Sequence, residues 1–377
     1  MKYAVEKGNG PTYLQLYKYL RNDIIDGIYE FNTKLPSKRI LAEETGVSTI
    51  TIEHAYALLC DEGYAEARER SGYFVIFQKE DGFASTDDIM DEIIDVKITT
   101  QNISANTSGR NYKSSNNDDT FPYSVLCKAM RKVLTSYEEV LLEKSPNAGC
   151  LEFRIALKNY LARNRGIYVE VEQIIIGSGT EYLYGLLVDL FGREKIFAIE
   201  TPSYNKIEQV YQISQITYEL LPLTNDGIDS NALAKSKAEI LHTTPFRSYP
   251  SGVTATASKR HEYIRWSQKG DRYIIEDDFE SEFSVSTKPM ETLFSLSEFD
   301  NVIYLNSFSK TISPAIRVAY IVLPKKLVKL FYEKLGFYSC TVPTFEQFML
   351  TDLINSGEFE RYINRVRRNK RKELAKG

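Results

Sequence analysis

Apolar residues at positions 14, 16, 17, 20, 24 and 25 return at three- and four-residue intervals, which places them on one face of a helix that Gly27 closes. A second amphipathic segment follows in LPSKRILAEETG, where Ser37 is placed to cap, Ile40 and Leu41 to face inward, and Gly46 to stop the helix. VSTITIEHAYALLCDEGY predicts a third helix, with Ser48 as cap, Ile52, Ala55, Leu58 and Leu59 inward, and Gly63 as terminator. Only Thr45, Gly46 and Val47 separate the second helix from the third, which is the connection of a helix-turn-helix. In such a unit the N-terminal residues of the second helix meet base edges in the major groove. Two β-prone runs, residues 64–68 and 73–77, are joined by a tip containing Arg70, Ser71 and Gly72, the layout of a wing.

The pattern then breaks. Residues 78–95 are rich in Asp and Glu around Ile89, Met90, Ile93 and Ile94, and residues 101–117 are mostly Asn, Ser and Thr, the composition of a flexible connector. Beyond it helical and β segments alternate: a helix over 151–163, QIIIGSG, a helix over 181–190, KIFAIETPSY, AEILHTTP, a helix near 258–268, RYIIEDDF and NVIYLNSFSK. Short apolar β runs between helices predict an α/β fold with a mostly parallel, helix-covered sheet, which binds ligands at the carboxyl ends of its strands. The chain thus divides into an N-terminal unit over residues 1–77, a linker over 78–111 and a second domain over 112–377.

Composition supports two folding units, since 377 residues exceed the size at which one core stops growing. Net charge is −4, and residues 1–77 hold eleven Asp and Glu against nine Lys and Arg. DNA affinity must therefore come from local placement, be salt-dependent and lean on dimerisation. Cys60, Cys127, Cys150 and Cys340 are scattered without CxxC spacing, and the three histidines are dispersed, which fits reduced thiols and no metal site. No apolar run reaches about eighteen residues, and residues 1–10 are too polar for a signal peptide, so the expectation is a cytoplasmic protein without a membrane partner.

SFSKTISPAIR sets Lys310 just after the apolar run VIYL. Holding pyridoxal 5'-phosphate takes a lysine for the imine, a carboxylate beside the pyridinium nitrogen, and a phosphate cup of amides, hydroxyls and an arginine. Asp277, in YIIEDDF, ends a strand; Ser178, Gly179 and Thr180, in GSGTEYLYGLL, open a helix, where free amides favour an anion. Ser307, Ser309 and Arg317 flank the lysine and complete the cup. Singly these signals have ordinary explanations: a turn, a cap and a solvated lysine. Their order, with Tyr204 between the cup and Asp277, carries the reading.

PTYLQLYKYLRNDIIDGIY, TKLPSKRILAEETGVSTITIEHAYALL and DEGYAEARERSGYFV together resemble the GntR-type winged helix. That resemblance implies that Lys38, Arg39, Ser48, Thr49, Thr51, Arg70 and Gly72 meet double-stranded promoter DNA, with Thr49 where the family usually has arginine. From FPYSVLCKAMRKVL through SFSKTISPAIRVAYIVLP, the second domain resembles the aminotransferase-like domain of the MocR/GabR regulators, a PLP-dependent transferase of fold-type I. By that resemblance Lys310 is the imine-forming lysine, Asp277 the pyridinium partner and Tyr204 the ring-stacking aromatic. Ser178, Gly179, Thr180 and Arg317 would hold the phosphate. It also implies a homodimer in which an amine or amino-acid effector, or the cofactor itself, resets the spacing of two DNA-binding heads. Four positions depart from the family: Phe279 replaces a tyrosine donor, Arg247 and Ser248 replace His-Gln, and Glu181 replaces Gln. The family's small C-terminal domain, with its carboxylate-binding arginine, would follow NRVRRNKRKELAKG, so the expectation is a truncated domain with poor turnover. A regulator is therefore favoured over an aminotransferase with an accessory DNA-binding domain, and over a cofactor-free DNA-binding dimer.

Overall fold

The computed structural model describes residues 3, 12–61, 63–68, 71–77, 121–284 and 291–374; the expected linker and Arg70 lie outside them. Helices α1 (Thr12–Ile25), α2 (Lys38–Thr45) and α3 (Thr49–Asp61) precede an antiparallel pair, β1 (Ala65–Arg68) and β2 (Gly72–Val75). Leu16, Leu20, Leu41, Ile52, Ala55, Leu59 and Val75 fill one core among them. Ser37 caps α2 by accepting from the Ile40 amide at 3.2 Å, and Gly46 ends it in the left-handed region at φ 70°. Ser48 accepts from the Thr51 amide at 3.2 Å, as its position in the sequence suggests. Ile40 corrects the expectation: it is 52% exposed while Leu41 is buried. Adjacent helical positions lie about 100° apart, and so short a helix turns only one of the two inward.

The rest of the chain supplies α4 (Tyr123–Ser136), α5 (Leu151–Arg165), β3 (Ile174–Gly177), α6 (Thr180–Phe191), β4 (Phe197–Thr201), α7 (Asn205–Ile213) and β5 (Tyr218–Pro222). It continues through α8 (Ser230–Lys235), β6 (Ile240–Thr243), α9 (Ala257–Ser267), β7 (Tyr273–Asp277), α10 (Leu293–Leu296), β8 (Val302–Ser307) and β9 (Ala319–Val322). It closes with α11 (Lys325–Leu335), α12 (Thr344–Asn355) and α13 (Glu358–Leu374). The seven strands lie in the order β3-β9-β8-β7-β6-β4-β5. Only β9 runs against its neighbours; the pairs β4–β5, β4–β6, β6–β7 and β7–β8 are parallel.

Side chains alternate across a strand, and both faces of this sheet are covered, which is why its strands read as unbroken apolar runs. Ile175, Ile199, Ile240, Ile275, Ile303, Leu305 and Ile321 point to the face covered by α6, α7 and α11. Ile174, Ile176, Tyr304, Tyr320 and Val322 point to the opposite face, against α5, α12 and α13. Because β9 is reversed, its first residue shares an edge with the last residues of its neighbours: Ala319 pairs with both Gly177 and Ser307. The residues just beyond those ends therefore meet along one rim.

The head sits on the start of α9. Ala257 is fully buried within the head's core, Tyr64 Oη lies 2.8 Å from His261 Nε2, and the Phe77 ring meets the His261 ring edge-on at 5.4 Å. Arg21 Nη1 donates to Glu291 at 2.6 Å, and the Tyr17 hydroxyl donates to the same carboxylate at 3.0 Å.

Candidate functional site

The rim of the sheet brings the marked residues of the second domain together. Asp277 ends β7 on the α6 face, where Tyr184 from α6 donates its hydroxyl to Asp277 Oδ2. The other oxygen, Oδ1, is buried without a hydrogen-bond partner. His242 in β6 stands next to it, with Nε2 3.7 Å from Asp277 Oδ2 and Nδ1 2.7 Å from the Tyr211 hydroxyl. Burial and then the Asp277 charge push the hydroxyls of Tyr184 and Tyr211 well above the usual tyrosine range, so both stay protonated beside the carboxylate. Asp278 alternates to the other face and pairs with Arg165 and the Tyr304 hydroxyl, which assigns the two acids of YIIEDDF separate duties.

The turn after β3 holds Gly179 at φ 93°, with Arg317 laid against it: a Cβ there would stand 2.4 Å from Arg317 Nη2. Glycine is thus required both by conformation and by the close approach of the guanidinium. The Ser178 amide donates to Thr341 Oγ1 at 3.0 Å and the Gly179 amide to the Gly177 carbonyl at 2.9 Å. An anion is left to the first turn of α6, starting at Thr180, where amides have no intrahelical acceptor. Arg317 Nη1 also reaches Ser309 Oγ at 3.4 Å, and that hydroxyl donates to the Ile316 carbonyl at 3.1 Å. Ser307 is buried as the last residue of β8.

Glu181 points into this cup. Its carboxylate takes Arg317 Nη2 at 2.6 Å on one oxygen and Lys206 Nζ at 2.5 Å on the other. Burial alone would raise its pKa, but the hydrogen bonds from Lys206 and its own amide, with the Arg317 charge, hold it below the usual carboxylate range. Tyr204 precedes α7 and is 36% exposed, its ring meeting that of Tyr249 edge-on at 6.3 Å, with Lys206 Nζ 5.9 Å from its centroid. Lys310 is half exposed, with Nζ 3.8 Å from Glu280 Oε1; Arg247 Nη1 approaches that oxygen at 3.9 Å. Ser248 donates to the buried Glu200 at 2.5 Å, which ties the turn after β6 to the end of β4.

Tyr184, His242, Tyr211, Lys206 and Glu280 were not singled out by the sequence. One signal was available for His242: it is the ionisable residue in the strand ILHT, on the same face as Ile240.

The marked residues of the head occupy its other end. Ser48, Thr49 and Thr51 form the start of α3, and Lys38 and Arg39 that of α2. Lys38 pairs with Glu53 at 3.2 Å and Arg39 with Glu43 at 3.3 Å, both on exposed surface. Gly72 opens β2 at φ 111°, with the Lys34 side chain against it. Ile50, at the first turn of α3, is 64% exposed.

Residues 12–75 match the family model of bacterial regulatory proteins of the gntR family, and residues 111–375 that of aminotransferase class I and II. The chain is similar to the HTH-type transcriptional regulator YdeL of Bacillus subtilis, at 30% identity over 366 residues, 97% of this chain and 78% of that protein. It is similar to PdxR of Corynebacterium glutamicum, an HTH-type pyridoxine biosynthesis transcriptional regulator, at 26% identity over 355 residues, 94% of this chain and 75% of that one. The kynurenine aminotransferase of Pyrococcus horikoshii is similar in fold, with a TM-score of 0.61 and 24% identity over 67% of this chain and 65% of that one. No helix among the described residues is long and apolar enough to cross a membrane.

Proposed function

Since the chain belongs to the GntR-type transcription regulators that carry a class I and II aminotransferase domain, we propose that it is a promoter-binding homodimer whose second domain holds pyridoxal 5'-phosphate and senses an amine or amino acid at Lys310. The observation that carries the cofactor reading is the Asp277 carboxylate, fixed through Oδ2 by Tyr184 and left with a buried, unpartnered Oδ1. A buried carboxylate oxygen without a donor is costly, and a protonated ring nitrogen supplies the missing partner. The residues present fit the group. Lys310 offers the amine, Thr180 and the first turn of α6 with Arg317 offer the phosphate seat, and Tyr204 offers an exposed ring face. Bound there, the cofactor would supply an aldehyde that reacts with amines. Similarity to a pyridoxine-related regulator is in keeping with this reading. Phe279 has no hydroxyl to donate to the cofactor, so binding and signalling are assigned, not efficient turnover.

The route to DNA is the connection between β6 and α9. It carries Arg247, Ser248 and Tyr249 past the site and then enters α9, whose Ala257 and His261 support the head. A ligand that shifts this connection shifts the base of the winged helix, which supplies the differential contact an effector requires.

Visible absorption of the purified chain with pyridoxal 5'-phosphate, beside Lys310→Ala, tests the site. The expected result is an imine band in the parent that is absent in the variant, with amine-dependent affinity for a duplex selected from a random pool. No band in either protein returns the second domain to the role of a dimerisation scaffold.

A further inference from the structure

We propose that Glu181 is an internal competitor for the phosphate cup and that Lys206 is a cationic member of that cup: an incoming phosphate exchanges with the Glu181 carboxylate for both Arg317 and Lys206. The proposal rests on the cofactor reading above and adds two residues to it. Its basis is the charge-assisted triad in which each Glu181 oxygen holds one cation, Arg317 Nη2 at 2.6 Å and Lys206 Nζ at 2.5 Å. Those cations come from separate elements, Arg317 from the entry to β9 and Lys206 from the first turn of α7, and Glu181 from the first turn of α6 draws them together. Gly179 keeps the guanidinium against the backbone of the turn, where a Cβ would also stand 3.2 Å from Glu181 Oε2.

A phosphate received by the start of α6 and by Arg317 therefore meets a carboxylate in the same seat. Two cations balance one carboxylate with a unit of positive charge to spare. Adding a phosphate of nearly two negative charges makes the sum negative, and the weaker anion is expelled. Expulsion is open to Glu181, whose side chain is already 25% exposed at the mouth of the cup. Lys206 is free to follow the new anion on a half-exposed, flexible stem. The exchange weakens phosphate binding without blocking it, by about tenfold, the scale of one partly solvated charge-assisted bond. A regulator with this device fills with cofactor only when the cofactor is plentiful.

The experiment titrates the wild-type chain, Glu181→Gln and Lys206→Ala with pyridoxal 5'-phosphate and with pyridoxal, which lacks the phosphate, by visible absorption. Thermal unfolding with inorganic phosphate is run on the same proteins, because a ligand of the folded state raises Tm. Glu181→Gln is expected to bind pyridoxal 5'-phosphate about tenfold more tightly, to leave pyridoxal within about twofold, and to gain more Tm from phosphate. Lys206→Ala is expected to lose affinity for the phosphorylated aldehyde and for phosphate only. Unchanged aldehyde preference and phosphate response in Glu181→Gln overturn the exchange and reduce Glu181 to a support of the first turn of α6. If no protein develops a band with either aldehyde, the cofactor reading fails, and the phosphate arm still decides the exchange by the same criterion.

Discussion

Asp277 depends on a hydroxyl from another element. Tyr184 donates to Oδ2, and with Oδ1 unpartnered the Tyr184 bond fixes how the carboxylate is presented. A hydrogen bond to a charged group contributes about 1.5–3 kcal/mol, so Tyr184→Phe is expected to weaken pyridoxal 5'-phosphate binding by about tenfold. Equal titration curves for Tyr184→Phe and the parent would show that Asp277 is held by other means. Lys310, Asp277 and Arg317 stood out as candidates in the sequence because each stands beside a recognisable strand and their order is distinctive. Tyr184 and Lys206 did not, because their partners Asp277 and Glu181 are remote in sequence. Glu181 was legible as a departure, but its direction, into the cup, is a fact of packing.

Among the elements, α9 joins the two halves of the molecule. Thr256 caps it by accepting from the Lys259 amide; its first residue, Ala257, lies in the core of the head, and Tyr263, Ile264 and Trp266 further along lie in that of the α/β domain. Glu291, just before α10, clamps the head through Arg21 with side chains 19% and 23% exposed. A double-mutant cycle on Arg21→Ala and Glu291→Ala is expected to return a coupling of about 1 kcal/mol, above most exposed pairs because this one is largely shielded. Each single variant should also speed amide exchange in α1. Additive effects and unchanged exchange would mean that the clamp does not hold the head. The head's helices and wing, and the α/β alternation from α5 to β8, were legible from periodicity, but the facing of Ile40, the edge strand β5, the reversed strand β9 and the helices α11 and α12 were not. The joint on α9 was not, since Tyr64 and Arg21 meet residues that only the folded chain brings near.

For the whole molecule, buried acids set the response to pH. Burial in the first place holds the carboxyls of Glu200, Glu276 and Glu282 up to about 7, about 8 and about 7, with Asp278 adding to the last two. Their unfolded values are near 4.5, so the folded chain binds more protons across the interval between. Stability from these groups is full below the unfolded value and is lost as pH rises through the folded ones. His261, held down to about 3 by burial and neighbouring arginines, costs stability only where an unfolded imidazole protonates, below about 6.5. From pH 6.5 to 8.5 the carboxyls set the trend, joined towards its top by the thiols of Cys150 and Cys340, which burial also pushes up, and Tm should fall by several degrees with proton release. A flat or rising Tm over that interval contradicts the protonated state of these acids.

The reversed strand β9 has a consequence for biogenesis. Among the described residues β3 is an edge strand paired only with β9, Gly177 meeting Ala319, so the turn that follows β3 leaves the ribosome long before the strand that anchors it. Domains emerge N-terminus first, and pairing between distant segments comes late. The winged helix, whose core comes from residues 3–77 except for Ala257, can fold while its partner is still being translated. The nascent chain thus completes its winged helix first and its α/β domain last.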